Sequence, residues 1–189
     1  LDGRGARERL GIARDAFVVG YAGQLLKTKG LETLIRAFAR LRTEFPEARL
    51  ALAGRGGDEP ALRAAAGDGV LFVPFSDSMP GFYSALDAFA LPTAHGEGLS
   101  RSLIEAMACG LPAVATASGG NVETLVQGET GWFVPVGDES ALLERLRHLY
   151  LRPEERTRMG RAARKRAEEL FDASACARAV EALYCEVAG

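Results

Sequence analysis

The stretch FVVGYAGQLLKTKG, residues 17–30, has the pattern that decides the fold of this chain. It begins with a short run that is almost entirely apolar, continues through a polar loop from Gly23, and ends at Gly30. Residues 31–44 follow with apolar side chains at helical spacing. A short apolar run followed by a loop and an amphipathic helix predicts one strand–helix unit of a parallel sheet.

The same alternation continues along the chain. Further strands are predicted at 49–54, 70–73, 88–91, 113–115 and 131–134, and helices at 59–66, 103–109 and, as a short one, 122–126. The remainder is predicted as helices 139–151 after the N-cap Asp138, 153–169 beginning at Pro153, and 172–187 after Asp172. Strands that are apolar throughout are typical of a parallel sheet covered on both faces. We therefore predict one α/β domain over residues 1–189, with a Rossmann-like parallel sheet of about six strands, helices on both faces and additional C-terminal helices.

Composition and charge narrow the classes of function. Hydrophobic residues make up 48% and charged residues 25% of the 189 residues, which favours a globular core. The formal net charge of −2 gives no reason to expect nucleic acid as a partner. With no apolar run of bilayer length, no secretory leader, and cysteines at no metal-like spacing, we expect a cytoplasmic protein without a metal centre. Because the chain starts at Leu1, we also expect it to be part of a longer protein.

Ligands of such sheets bind outside the carboxyl ends of the strands, so the loops that follow the strands are the informative segments. The first loop carries two lysines just before a helix, where the positive end of the helix dipole favours an anion. A solvated loop is the alternative. The second loop begins at Gly54 and lacks the third glycine of a dinucleotide fingerprint, but it leaves room for a base or ribose.

The loop after the predicted strand at 88–91, HGEGLSRSLIE at residues 95–105, contains two glutamates, Glu97 and Glu105. Glu97 lies between two glycines, and the open backbone N–H groups at the helix start provide an anion or hydroxyl site. The alternative is a capping box, in which Glu105 only returns a hydrogen bond to the helix start near Ser102. A further glycine-rich loop at 116–123 makes three such helix openings at one edge, which favours a nucleotide that carries a sugar.

Other sites are less well supported. His95 and His148 are too few and too far apart for a metal centre, and His148 is expected to be exposed. Cys109 is expected to be a small core residue. Residues 145–169 contain nine Arg or Lys and four Glu residues, which indicates solvated helix faces, with peripheral contact to an anionic membrane as the alternative.

These residues resemble the group 1, family-four retaining glycosyltransferases of the two-domain GT-B class. The motifs that carry the resemblance are GQL at 23–25 with KG at 29–30, LAGxG at 52–56, EGLS at 97–100, EAMACGLP at 105–112, GGNxE at 119–123, and GETG at 128–131 with VP at 134–135. The match extends from about residue 7 to 187 and implies the C-terminal half, which binds the donor, a nucleotide-diphosphate sugar.

The resemblance also implies roles for single residues. Glu105 would hold the ribose hydroxyls, Glu97 would face the transferred sugar, and Lys29 would bind the phosphates; Glu97 and Lys29 are the expected catalytic residues. The other donor contacts are expected at Gln24, Gly54, Pro74, Phe75, Gly98, Leu99, Ser100 and Ser102. Gln24 stands where the family usually has an arginine, which removes one positive charge from the diphosphate site.

The resemblance finally implies what else an active enzyme needs. The N-terminal acceptor domain of the family has no counterpart in the chain, so we expect the chain to bind a UDP-type donor weakly, without a further cofactor, and to transfer little or nothing alone. The helix at 172–187 would cross to the missing domain or pair with a second copy. The acceptor is unknown. The alternatives are half of a sugar-nucleotide epimerase of the same architecture and a non-catalytic nucleotide-binding module.

Overall fold

The structure, a computed structural model, describes residues 2–74, 79–96 and 98–188. Its strands are β1 Val18–Ala22, β2 Arg49–Ala53, β3 Val70–Val73, β4 Ala88–Leu91, β5 Ala113–Thr116 and β6 Gly131–Val134. Its α-helices are α1 Gly3–Arg9, α2 Leu31–Glu44, α3 Glu59–Ala65, α4 Met79–Ser84, α5 Arg101–Ala108, α6 Glu139–Leu151, α7 Pro153–Leu170 and α8 Ala173–Ala188. Two 3₁₀ helices lie at Lys27–Lys29 and Gly119–Glu123.

The six strands form one parallel sheet in the order β3-β2-β1-β4-β5-β6, which confirms the predicted fold class. The chain moves outward from β1 to β3, then returns to place β4 on the other side of β1. Because crossovers are right-handed, this reversal puts α2 and α3 on one face and α5 on the other. The C-terminal helices complete both layers, since α6 packs on α2 and α7 packs on α5.

The sheet is buried because its strands are apolar on both faces. The described side chains of β1 and β4 are buried along their whole length, and Phe38 and Leu41 of α2 and Met107 of α5 have no exposed surface. The predicted caps are also present. The Asp138 carboxylate accepts from the Ala141 N–H group at 2.9 Å, Pro153 occupies the first turn of α7, and Asp172 accepts from the Ser174 N–H group at 3.0 Å.

The structure corrects the predicted elements at three places. The segment predicted as a helix at 122–126 is instead the 3₁₀ helix Gly119–Glu123, since its two glycines favour a tight loop. Helix α5 begins at Arg101 rather than at residue 103. Helices α1 and α4 were not predicted because their sequences, GRGARER and MPGFYS, are short and contain glycine or proline, and each buries at most two side chains.

The last helix, α8, is the predicted 172–187 helix, displaced by one residue at each end. Its apolar residues Val180, Leu183 and Tyr184 are more than half exposed. Whether this face contacts a second domain stays a prediction. None of the helices that the structure describes is long and apolar enough to cross a bilayer.

The loops after β1 and β2 pack so closely that Gly54 has no room for a side chain. Its φ is +148°, and a Cβ there would lie 1.8 Å from the Gly23 carbonyl oxygen. Sequence reasoning assigned this glycine to the approach of a ligand, whereas the structure shows that it permits two loops at the edge to touch. A Cβ on Gly57, three residues later, would meet no other atom within 4 Å.

We therefore expect Gly54→Ala to lower the free energy of unfolding by about 1–3 kcal/mol, because the added methyl group forces the two loops apart in a strained backbone region. Gly57→Ala is the matched control and should change it by less than about 0.5 kcal/mol. Urea unfolding followed by circular dichroism measures both. Equal stabilities for the two variants would contradict the close packing of these loops.

Candidate functional site

A cavity of about 1040 Å³ opens at the carboxyl ends of β1 and β4, the two strands between which the chain reverses direction. Its walls are the loop after β1, helix α4, and helix α5 together with the residues that flank it. The lining residues are Ala22, Gly23, Gln24, Met79, Pro80, Tyr83, Leu99, Ser100, Arg101, Ser102, Glu105, Ala108 and Cys109. Such a switch point is where open α/β sheets bind their ligands. The fold therefore brings five predicted donor contacts together: Gln24, Leu99, Ser100, Ser102 and Glu105.

Glu105 is held in this cavity by a buried tyrosine. Its Oε2 atom accepts a hydrogen bond from the Tyr83 hydroxyl at 2.9 Å, while its Oε1 atom lies 3.6 Å from Nη2 of Arg101. The N-cap residue of α5 is Ser100, and Ser102 lies inside the helix with its hydroxyl 3.2 Å from that of Ser100. The capping-box alternative is therefore wrong, because the Glu105 carboxylate is directed to Tyr83 and Arg101.

Tyr83 can act only as a donor to Glu105. Its side chain is 1% exposed, and burial together with the neighbouring Glu105 carboxylate raises the pKa of its phenol far above the ordinary value. The ring is packed edge-on against Phe82 and Phe89, at centroid distances of 5.7 and 5.9 Å. A phenol that stays protonated at every physiological pH keeps its hydrogen bond to the carboxylate throughout that range.

The start of α5 forms the polar side of the cavity. Ser100 has an extended backbone and makes no side-chain capping bond, so the first N–H groups of the helix keep their capacity to donate to a ligand. Together with the helix dipole they favour an anion at this position. Leu99 is 49% exposed beside them.

The loop before α5 is supported from the side of β5. A Cβ on Gly120 would lie 3.0 Å from Gly98 C and from Leu99 N, so the 3₁₀ helix Gly119–Glu123 packs directly on the backbone that leads into α5. Helix α7 holds that 3₁₀ helix in turn, because Arg166 donates to the carbonyl groups of Glu123 and Thr124 at 2.7 Å. The predicted Glu97 lies outside the described residues, as does Phe75.

The structure does not place the remaining predicted residues in this cavity. Lys29 is half-buried in the 3₁₀ helix Lys27–Lys29, and Gly98 is exposed with open space around its Cα atom. Gly54 and Pro74 line a second cavity of about 260 Å³ at the ends of β2 and β3, together with Arg63 and Phe72. The Arg63 guanidinium lies 4.3 Å from the centroid of the Phe72 ring. Both cavities open at the carboxyl edge of the same sheet.

Sequence reasoning missed the α4 wall altogether. Met79, Pro80 and Tyr83 lie on a helix that was not predicted, so nothing linked Tyr83 to Glu105. Cys109 was expected in the core, but it is half-buried and lines the cavity. Arg101 directly follows the predicted Ser100. Sequence reasoning gave it no role, although it lines the cavity.

Three further sequence expectations concern His148, a metal centre and the basic helix α7. His148 is not simply exposed: its ring contacts Trp132 edge-on at 5.0 Å and its Nε2 atom lies 2.7 Å from Glu155, a contact that lowers the pKa of the Glu155 carboxyl. Among the described residues, no three His, Cys, Asp or Glu side chains are grouped so that they could hold a metal ion. In the basic helix α7, Arg164 and Lys165 pair with Glu168 and Glu169, as expected for a solvated face.

Comparison with known proteins gives consistent matches. A family model described as glycosyl transferases group 1 matches residues 4–166. The chain is 29% identical over 179 residues to the capsular polysaccharide biosynthesis glycosyltransferase CapM of Staphylococcus aureus, covering 92% of this chain and 47% of CapM. It is 36% identical over 172 residues to the GDP-mannose-dependent alpha-(1-6)-phosphatidylinositol monomannoside mannosyltransferase of Mycolicibacterium smegmatis, covering 84% and 44% of the two chains.

Solved structures show the same architecture. The crystal structure of Anabaena HepE in complex with UDP matches with a TM-score of 0.89 and 26% identity, over 97% of this chain and 52% of HepE. The chain therefore spans about half of the length of the relatives it matches.

The position of Cys109 in the cavity wall has a measurable consequence. Burial is the main cause that raises the pKa of its thiol, so less of it is thiolate at neutral pH. We expect its alkylation by iodoacetamide to reach half-maximal rate at a higher pH in the folded protein than in urea, where a thiol titrates near about 8.5. Mass spectrometry of the Cys109 peptide measures both profiles. A folded-state midpoint at or below the urea value would contradict the described environment.

Proposed function

Because the chain belongs to the group 1 glycosyltransferase family, we propose that it is the donor-binding half of a retaining enzyme that transfers a sugar from a nucleotide-diphosphate sugar to an acceptor. The observation that carries the proposal is the cavity at the β1–β4 switch point. There a tethered carboxylate, Glu105, lies one helical turn from the open N–H groups at the start of α5. The carboxylate can accept hydrogen bonds from hydroxyl groups, and the N–H groups at the helix start can donate to a diphosphate.

Different residues are proposed to contact the ribose, the diphosphate, the transferred sugar and the base of the donor. Glu105 accepts hydrogen bonds from the ribose hydroxyls, and the backbone from Gly98 to Ser102 donates to the diphosphate with Gln24 opposite. Lys29 supplies positive charge to the phosphates, and Glu97 faces the transferred sugar. The base occupies the second cavity, against Gly54, Pro74 and Phe75. The Arg63–Phe72 pair forms a wall of that cavity and agrees with a flat aromatic ligand.

UDP is the proposed nucleotide. The relative whose structure matches this chain at 26% identity was crystallised with UDP, whereas the mannosyltransferase relative is named for GDP-mannose. The cavity for the base is about 260 Å³ and is lined by Gly54, Phe72, Val73 and Pro74 and by the charged residues Arg55, Glu59 and Arg63. Titration of UDP, GDP and ADP tests this choice, and tighter binding of GDP or ADP than of UDP would contradict it.

The proposed reaction needs a second domain that holds the acceptor on the other side of the cleft. The bond between the sugar C1 and the diphosphate oxygen breaks, the acceptor oxygen bonds to C1 on the same face, and the acceptor proton passes to the leaving diphosphate. Lys29 and the α5 N–H groups would stabilise the charge that develops on that diphosphate. Neither glutamate acts as nucleophile or general base. An N-terminal domain would hold the acceptor, and the exposed apolar face of α8 would cross to it.

The assignment of Glu105 is tested by calorimetry with UDP, GDP and ADP on the wild type and on Glu105→Ala. We expect the variant to bind the preferred diphosphate roughly 10- to 150-fold more weakly, because losing a charged hydrogen-bond partner costs about 1.5–3 kcal/mol. Glu44→Ala removes a carboxylate that pairs with Arg147 away from the cavity, and it should bind like the wild type. Equal binding by Glu105→Ala and the wild type would remove Glu105 from the site.

Transfer is tested by comparing this chain with the protein extended by an N-terminal acceptor domain. We expect the 189-residue chain to bind the nucleotide but to release no sugar above background, since it spans about half of the length of its relatives and would not hold an acceptor against the donor. The extended protein should form a product with the anomeric configuration of the donor, measured by proton NMR. A product with the opposite anomeric configuration would contradict the retaining mechanism. Release of a free epimerised donor would favour the epimerase alternative. Nucleotide binding without any turnover would favour the non-catalytic module.

A further inference from the structure

We infer that Tyr83 is a positioning residue that sets the Glu105 carboxylate in the orientation required for ribose recognition. The inference rests on the proposed function and goes beyond it, because neither the sequence motifs nor the comparisons assign a role to Tyr83. It rests on the geometry of three groups in the cavity wall: the Tyr83 phenol, the Glu105 carboxylate and the Arg101 guanidinium.

The hydrogen bond from Tyr83 holds one carboxylate oxygen from the protein side. The donor comes from α4 and the acceptor from α5, two helices that both line the cavity, so the bond joins two residues that are 22 positions apart in sequence. The phenol is 1% exposed and its ring is fixed against Phe89, so it offers a donor at a constant position. A free glutamate on an exposed helix surface would instead sample several rotamers.

The other carboxylate oxygen is left for a ligand. Oε1 faces Arg101, whose side chain is 92% exposed and lies 3.6 Å away within the same helix. An ion pair with so exposed a partner contributes little and is easily displaced. Glu105 itself is 40% exposed at its side chain, so a hydroxyl group in the cavity can reach Oε1.

Recognition of the ribose by Glu105 therefore depends on the hydrogen bond between Tyr83 and Glu105, which the ligand does not contact. When the tether is present, the carboxylate needs no ordering as the ribose arrives, which lowers the entropic cost of binding. The effect should be confined to the ribose hydroxyls, because Tyr83 acts through Glu105. A purely structural role for Tyr83 would instead change the shape of the cavity and weaken every nucleotide alike.

The experiment combines a substitution of Tyr83 with removal of the ribose hydroxyl groups from the ligand. UDP and 2′,3′-dideoxy-UDP are titrated into the wild type and into Tyr83→Phe, which removes the hydroxyl and keeps the ring in the core. We expect Tyr83→Phe to weaken UDP about three- to tenfold, because the freed Glu105 side chain must then be ordered when the ribose binds, and to leave dideoxy-UDP unchanged. In a Glu105→Ala background, the same change should have no further effect on UDP, as coupled residues require.

Tyr150→Phe is the matched control. The Tyr150 hydroxyl also donates to a carboxylate, that of Glu47, and neither residue lines the donor cavity. This variant should bind both nucleotides like the wild type.

The inference is overturned if Tyr83→Phe weakens UDP and dideoxy-UDP equally, if it weakens neither, or if it still weakens UDP in the Glu105→Ala background. These results leave the proposed function standing as long as the wild type binds UDP and Glu105→Ala binds it poorly. Failure of the wild type to bind UDP, GDP or ADP overturns the proposed function and this inference together.

Discussion

The chain changes direction across the sheet when it passes from β3 at one edge back to β4, which pairs with β1. The loops that follow the neighbouring strands β1 and β4 therefore lead to opposite faces of the sheet, and a crevice opens between them. The walls of the cavity between the β1 loop and α5 follow from this reversal. The loop after β1 forms one side, α5 after β4 forms the other, and α4 before β4 closes the end. Since the sheet is buried on both faces, the carboxyl edge is the place where the fold leaves its backbone groups open.

Close contacts between the loops make this edge rigid. The second loop packs on the first through Gly54, and the loop after β5 packs through Gly120 on the backbone that leads into α5. A hydrogen bond from the Ala94 N–H group to the Thr28 carbonyl at 2.9 Å links the loops after β1 and β4. Glycines at such positions are usually assigned to ligand approach. Here they first allow the loops to support one another, so the binding groups are in place before any ligand arrives.

How much the sequence predicts depends on the length and period of each pattern. The strands and helices α2 and α6 were predicted closely because their apolar residues repeat with an unmistakable period and their caps, such as Asp138, are strong. Ser100 and Glu105 were singled out because they follow a predicted strand, Gln24 was named through the family resemblance, and all three line the cavity. Tyr83 could not be found, because its role depends on the approach of α4 to α5 and not on any local pattern. The same holds for Cys109, whose half-burial results from the cavity beside it.

The charges of the cavity show why the ribose contact should matter so much. Among its lining residues that the structure describes, the charged side chains are Arg101 and Glu105, which cancel, and Gln24 adds none. A highly exposed guanidinium gains only about 1 kcal/mol from a charge 4 Å away in water. A diphosphate would then be bound chiefly by the N–H groups of α5 and, from the neighbouring loop, by Lys29. With so little charge attraction at this wall, a larger share of the affinity must come from the ribose and the base. In the proposed binding mode, a carboxylate held in place by a buried phenol would contribute more than a second mobile cation, because it would add selectivity for ribose without adding to the ordering cost.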